Sequence, residues 1–184
     1  NQRRRQLLSP DVKPNKAHLA LAKIERVMGN NFTLVTQNVD NLHQKSGNKN
    51  VLHMHGSLLS ARCLRSGHSS AIYSDLDHSN QCDCCQPTNS LRPDIVWFGE
   101  MPKYMPQIEE CLSQADIFIS IGTSGTVYPA AGFVSLANQS GAHTVELNME
   151  PSSGYNEFAE KHYGPATEIV SKFVDTLLKG FNFD

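Results

Sequence analysis

The residues best equipped for chemistry lie between Thr33 and Gly56. This stretch opens on the short apolar, β-branched run Thr33-Leu34-Val35-Thr36 and passes abruptly into Gln37-Asn38-Val39-Asp40-Asn41-Leu42-His43. It closes on His53-Met54-His55-Gly56. A strand that ends in amides and a carboxylate is how an α/β sheet delivers binding groups to its carboxyl edge. Gln37 and Asn38 offer donors and acceptors and Asp40 adds acceptors, which suits a sugar or a primary amide. A neutral imidazole from His53 or His55 can take a proton near pH 7. As residue types alone, the same polar set also makes turns after a strand.

These groups need elements to hold them. Pro10 and Pro14 bracket a linker, after which Asn15 caps a predicted helix with Ala17, Ala20, Leu21, Ile24, Val27 and Met28 on one face and Gly29 as its stop. His18 reads as a packing or surface residue. Residues 46–50 read as a turn, and Val51 to Gly56 as an extended segment on which His53 and His55 face the same way. Further on, a helix over about 106–114 leads to an apolar strand at 116–121 and the loop Gly122-Thr123-Ser124-Gly125. A helix from Pro129 to Gly141 and a strand at 144–147 follow. This βαβ unit predicts a parallel sheet whose small-residue loop can approach phosphate or ribose closely. A last helix carries Ile169, Val170, Phe173, Val174, Leu177 and Leu178 at core spacing and ends at Gly180. The expected fold is α/β: a Rossmann-like parallel sheet with helices on both faces and a small zinc-binding-type insertion.

The insertion is predicted because the apolar periodicity disappears between Ser60 and Arg92, where Ser, Asp, Asn and Cys dominate. A zinc ion held by thiolates can replace a core there. The candidate ligands are Cys63, Cys82 and Cys85. Ser66 stands where a C-x-x-C pair would put its second sulfur, so Cys84 or His68 could substitute, three thiolates could hold metal weakly, or the loop could persist without it. Cys111 reads as a buried apolar residue. The expected division is the end of a helical subdomain with a linker at 1–12, a Rossmann-like domain at 13–59 and 93–184, and the cysteine module at 60–92.

Bulk properties narrow the partners. With 184 residues the chain can bury one core and a small appended module. A net charge of -2 gives no electrostatic case for nucleic acid. No apolar run approaches the roughly 20 residues of a membrane span, and no secretory leader is visible. Five cysteines, three of them clustered, read as metal ligands or free thiols, which places the protein in the cytoplasm.

Thr36-Gln37-Asn38-Val39-Asp40-Asn41-Leu42-His43 and His53-Met54-His55-Gly56 resemble the TQNxDxLH and HxHG signatures of the sirtuins, NAD-dependent protein lysine deacylases. The resemblance implies that His55 is the general base and that Gln37, Asn38, Val39 and Asp40 hold the nicotinamide-ribose half of NAD. Gly122, Thr123 and Ser124 resemble the GTS loop of the dinucleotide site. Asn148, Met149 and Glu150 match the turn beside the adenosine, and Ala166 matches a position near the adenine. Val96, Phe98, Gly99 and Glu100 match the segment that pairs with the substrate peptide by backbone β-augmentation. Arg3 falls where the acyl-pocket arginine of desuccinylases and demalonylases stands, were a Tyr to precede Asn1; Arg4 or Arg5 could point inward instead. A guanidinium there can hold an acidic acyl group bidentately.

The implied reaction takes an acyl-lysine protein, NAD and water to free lysine, nicotinamide and O-acyl-ADP-ribose, in a monomeric enzyme. The chain lacks the family's GAGxS phosphate loop and an initiator Met, so the expectation is an N-terminally truncated member that binds NAD weakly by itself. Two alternatives stay open: protein ADP-ribosylation in the same pocket, and a non-catalytic, metal-stabilised interaction module.

Overall fold

A computed structural model describes residues 1–180. Helix α1 (Gln2–Leu8) leads through the proline-bracketed linker to α2 (Lys16–Met28). The Asn15 side chain accepts the Ala17 and His18 amides at 2.9 and 3.2 Å, and His18 Nδ1 accepts the Asn15 amide at 3.3 Å. A reciprocal capping box thus forms with His in the place usually held by Glu or Gln. That gives His18 a specific role in starting the helix. Ala17, Ala20, Leu21 and Ile24 are buried as expected, whereas Val27 is exposed and falls outside the core-facing stripe.

Strand β1 (Leu34–Thr36) runs into a loop and the short helix α3 (Leu42–Ser46), which Gly47 ends in the left-handed region. β2 (Val51–His53) returns parallel to β1, with Leu34, Val35 and Thr36 opposite Val51, Leu52 and His53. The extended segment expected from Val51 to Gly56 is interrupted: the chain turns at Met54–His55 before β3 (Gly56–Cys63) begins. Gly56 sits at φ +77°, and a Cβ there would collide with the Asp94 carbonyl, so the histidine motif must close on glycine.

The insertion holds more regular structure than its composition suggests. β3 runs unbroken past Ser60 and pairs antiparallel with β4 (Ser69–Ala71) on one side and β5 (Leu91–Ile95) on the other. β5 stops at Ile95, and Val96–Glu100 leave the sheet for a turn.

The remaining elements are α4 (Met105–Ser113), β6 (Ile117–Ile121), α5 (Phe133–Gln139), β7 (His143–Asn148), β8 (Glu160–Tyr163) and α6 (Ala166–Gly180), all but β8 predicted. After Pro129 the chain makes one 3₁₀ turn, so α5 starts only at Phe133. β6, β7 and β8 are parallel, and β8 was not foreseen because Glu160-Lys161-His162-Tyr163 offers a single aromatic and no apolar alternation to signal a strand. Val145 and Leu147 pack with Ile117, Ile119 and Ile121 against α2 and α6. Leu52 and Phe118 pack on the other side with Ile108 and Leu112 of α4 and Phe133 and Ala137 of α5. This is the expected Rossmann-like arrangement of parallel strands between two helical layers, with the antiparallel cysteine-bearing sheet appended. No described helix is long and apolar enough to cross a membrane.

Candidate active site

The loop after β1 is held by its own carbonyl groups. The carbonyl of Thr36 accepts the Met54 amide at 3.1 Å and that of Val39 accepts the Leu58 amide at 2.9 Å. Between them, Gln37 and Asn38 present their carbonyls to Nδ1 of His55 and Nδ1 of His53, each at 3.2 Å. A carbonyl oxygen only accepts, so both rings carry their proton on Nδ1. Nε2 of His55 then keeps a lone pair, and it has no protein partner among the described residues. Nε2 of His53 faces Gln44 Nε2 at 2.6 Å. The turn at Met54–His55 therefore brings both rings onto the same loop without a continuous strand.

The side chains of the loop divide their labour. The Asn38 amide N–H donates to Thr36 Oγ1 at 3.1 Å, and Asp40 Oδ1 accepts the Leu42 amide at 2.9 Å. Gln37 Nε2 donates to Thr123 Oγ1 at 3.4 Å, which ties the histidine-bearing loop to the loop after β6. Behind this face His43 is buried, its ring centroid 4.9 Å from that of His18. Burial, then the neighbouring His18, holds the His43 imidazole down at about 4.

A cavity of about 330 Å³ opens at the carboxyl ends of β6 and β7, and Gly122, Thr123, Ser124, Asn148, Met149 and Glu150 all line it. Hydroxyls, an amide and a carboxylate converge there, the donor and acceptor set a nucleoside requires. Asn148 Nδ2 donates to the Thr123 carbonyl at 2.8 Å and the Ser153 amide to the Ser124 carbonyl at 3.0 Å, so the two loops form one wall. Gly125, at φ +68°, lets Ser152 and Gly154 approach to where a Cβ would crowd both. Ala166 does not line the cavity; it packs against the α2 and α6 core.

Sequence reasoning missed the support of this wall. Glu146 is 1% exposed, accepting the Ser152 amide at 3.1 Å and the Tyr163 hydroxyl at 2.8 Å. The available signal was a lone carboxylate inside the apolar run of β7, since buried charges are rare unless they are bonded.

On the far side, Val96 donates its amide to the His55 carbonyl at 3.0 Å. Glu100 is bound to Arg92 at 2.5 Å and accepts the Trp97 amide at 3.0 Å. Arg92, then that amide, holds its carboxyl down at about 2. Glu100 therefore clasps the turn, while Phe98 and Trp97 stand exposed and Gly99 takes φ +88°. Of the three arginines on α1, Arg3 is exposed and Arg5 is paired with Asp75. Arg4 is buried, donating Nε to the Leu58 carbonyl at 2.7 Å.

The Sγ atoms of Cys63, Cys82, Cys84 and Cys85 lie within 4.8 Å of one another. Cys63 is 3.7 Å from Cys85, and Cys84 is 3.9 Å from Cys85. Bonds of ~2.3 Å around a tetrahedral zinc imply sulfur–sulfur edges of ~3.8 Å. The amides of Arg65 and Ser66 point at Cys63 Sγ at 3.4 and 3.5 Å, and that of Asn89 at Cys82 Sγ at 3.2 Å, as thiolates require. The donor set fits zinc. Cys84 joins the three predicted ligands, while the exposed His68 stays outside the cluster.

The profile of the Sir2 family matches residues 1–129. The chain is 59% identical over 180 residues to a protein of Escherichia coli strain K12 named NAD-dependent protein deacylase, covering 98% of this chain and 64% of that one. A protein of the same name from Yersinia pseudotuberculosis is 55% identical over 178 residues, again with 64% of its length covered. The chain thus spans a little under two thirds of the curated relatives it matches. A crystal structure of a Sir2 homologue in complex with NAD superposes with a TM-score of 0.82 at 34% identity, over 92% of this chain and 67% of that one. A Sir2 structure bound to an acetylated peptide gives 0.77 at 29% identity, over 90% and 71%.

Proposed function

Since the chain belongs to the Sir2 family, we propose that the protein carrying it is an NAD-dependent protein lysine deacylase that removes acetyl and also succinyl or malonyl groups. The observation that carries this reading is one continuous connection: Nδ1 of His55 bonds the Gln37 carbonyl, and the Gln37 side chain reaches Thr123 at the rim of the 330 Å³ cavity. A base and a polar cavity are thereby held on one framework.

NAD, when bound, supplies an activated ribosyl carbon from which nicotinamide departs as the acyl oxygen attacks. The chain's own residues supply placement and one proton acceptor. Thr123, Ser124, Asn148 and Glu150 hold the adenosine half, and Gln37, Asn38, Val39 and Asp40 the nicotinamide ribose. The free Nε2 of His55 accepts the ribose hydroxyl proton, and the Nδ1 bond to Gln37 keeps the ring in the tautomer that allows it. Val96 to Glu100 receive the peptide backbone, and Arg3 meets an acidic acyl group. Four thiolates, from Cys63, Cys82, Cys84 and Cys85, hold a structural zinc. Unpaired thiols gathered for a metal suit a reducing compartment, so we place the protein in the cytoplasm.

The test is product analysis with succinyl- and acetyl-lysine peptides and NAD. O-acyl-ADP-ribose with free lysine supports the proposal. A stably ADP-ribosylated protein without that product would move the assignment to ADP-ribosyl transfer.

A further inference from the structure

His53 has no part in the proton transfer proposed for His55, yet it is bonded at both ring nitrogens. Nδ1 lies 3.2 Å from the Asn38 carbonyl and Nε2 lies 2.6 Å from Gln44 Nε2. The carbonyl requires a proton on Nδ1, so in the neutral ring Nε2 must accept, and the Gln44 amide supplies the hydrogen. Gln44 thus holds from the other side the ring whose Nδ1 donates to Asn38. The Asn38 amide is already committed to Thr36 Oγ1 at 3.1 Å. With both backbone groups engaged, the residue has little freedom to rotate, and its side-chain amide has no protein partner among the described residues.

We propose that His53 and Gln44 form a positioning pair that orients Asn38 toward the nicotinamide half of NAD. The proposal rests on the functional reading above. His53, at the end of β2, and His55, in the turn that follows, grip two successive carbonyls, but the second nitrogen is spent on Gln44 in His53 and left open in His55. One histidine is thereby a fixture and the other a base. The division follows from the single glutamine on α3, which is exposed and free of any role in the core.

The experiment compares Gln44→Leu, His53→Leu and His53→Asn in the longest natural form of the protein. Steady-state kinetics with NAD and an acyl-lysine peptide are read alongside NAD titration and ¹⁵N shifts of the histidine rings. In Gln44→Leu the Nε2 shift of His53 should move to that of an acceptor with no bonded partner, while Nδ1 stays protonated. Loss of one aligned hydrogen bond should raise KM for NAD roughly fivefold, with kcat within about twofold. His53→Leu should match it, and His53→Asn, whose amide can donate to the same carbonyl, should recover most of the loss. Unchanged NAD affinity and KM in both leucine variants, or failure of His53→Asn to recover either, would overturn the proposal. If the parent protein binds NAD but does not deacylate, the functional reading fails, and the titration and ring shifts still decide the role of the pair.

Discussion

Nδ1 of His55 stands 3.2 Å from the carbonyl oxygen of Gln37, and that bond settles which ring nitrogen can act as a base. Because Gln37 also reaches Thr123 at 3.4 Å, the ring's orientation is tied to the cavity wall rather than to its own segment alone. Geometry fixes the proton's place before any substrate arrives.

The zinc ligands are the first prediction. Since Cys84 completes the sulfur cluster, Cys84→Ala should lose bound metal as fully as Cys82→Ala, measured by elemental analysis of purified protein. Chelation of the metal should lower Tm in the parent. Full metal content in Cys84→Ala would leave a three-thiolate site.

The arginines of α1 separate chemistry from packing. Arg3→Met should cut kcat/KM for a succinyl peptide by about 10- to 100-fold, the range of a charged hydrogen bond, and spare an acetyl peptide. Arg4→Met, which removes a buried donor to Leu58, should lower thermal stability and depress both activities together. Equal losses on both peptides in Arg3→Met would remove it from the acyl pocket.

His43 gives the fold a pH dependence of known sign. Its folded-state value is held near 4 against 6.5 ordinarily, so between those values the unfolded chain takes up a proton that the buried ring refuses. Stability contributed by His43 should fall as pH drops from 6.5 toward 4 and level off below. Denaturant midpoints measured across that window should slope less in His43→Leu.

Glu146 should matter to the nucleotide without touching it. Glu146→Gln keeps an acceptor for the Ser152 amide and should bind ADP-ribose within a few-fold of the parent. Glu146→Ala leaves that amide unpaired, costing about 1–3 kcal/mol of stability and weakening ADP-ribose binding in calorimetry. Equal affinity in all three proteins would detach Glu146 from the site.

Much of this was legible in the residue order. The Gln37 and Asn38 amides and the Asp40 carboxylate could be nominated because a strand ending in polar residues is a local pattern, whereas the GTS loop and the Asn148 turn were named by their resemblance to the family's motifs. All six residues predicted from the latter two loops line one cavity. What escaped depended on contacts distant in sequence. β8 is polar but for Tyr163 and is a strand by pairing with β7. The Glu146 bond to Ser152 and the Arg92 clasp on Glu100 depend on loop paths that composition does not encode. The resemblance nominated Arg3 and left Arg4 or Arg5 open as the inward-pointing residue; that Arg4 is the buried one could not be read in advance, because burial on a short helix is set by what the neighbouring sheet leaves open.

The most direct test of the central claim is the turnover of His55→Ala beside its NAD affinity. The account predicts that O-acyl-ADP-ribose formation falls by about 10²- to 10⁴-fold, the usual worth of a positioned general base, while NAD binding stays within a few-fold. Turnover equal to the parent's, with NAD bound equally well, would contradict it.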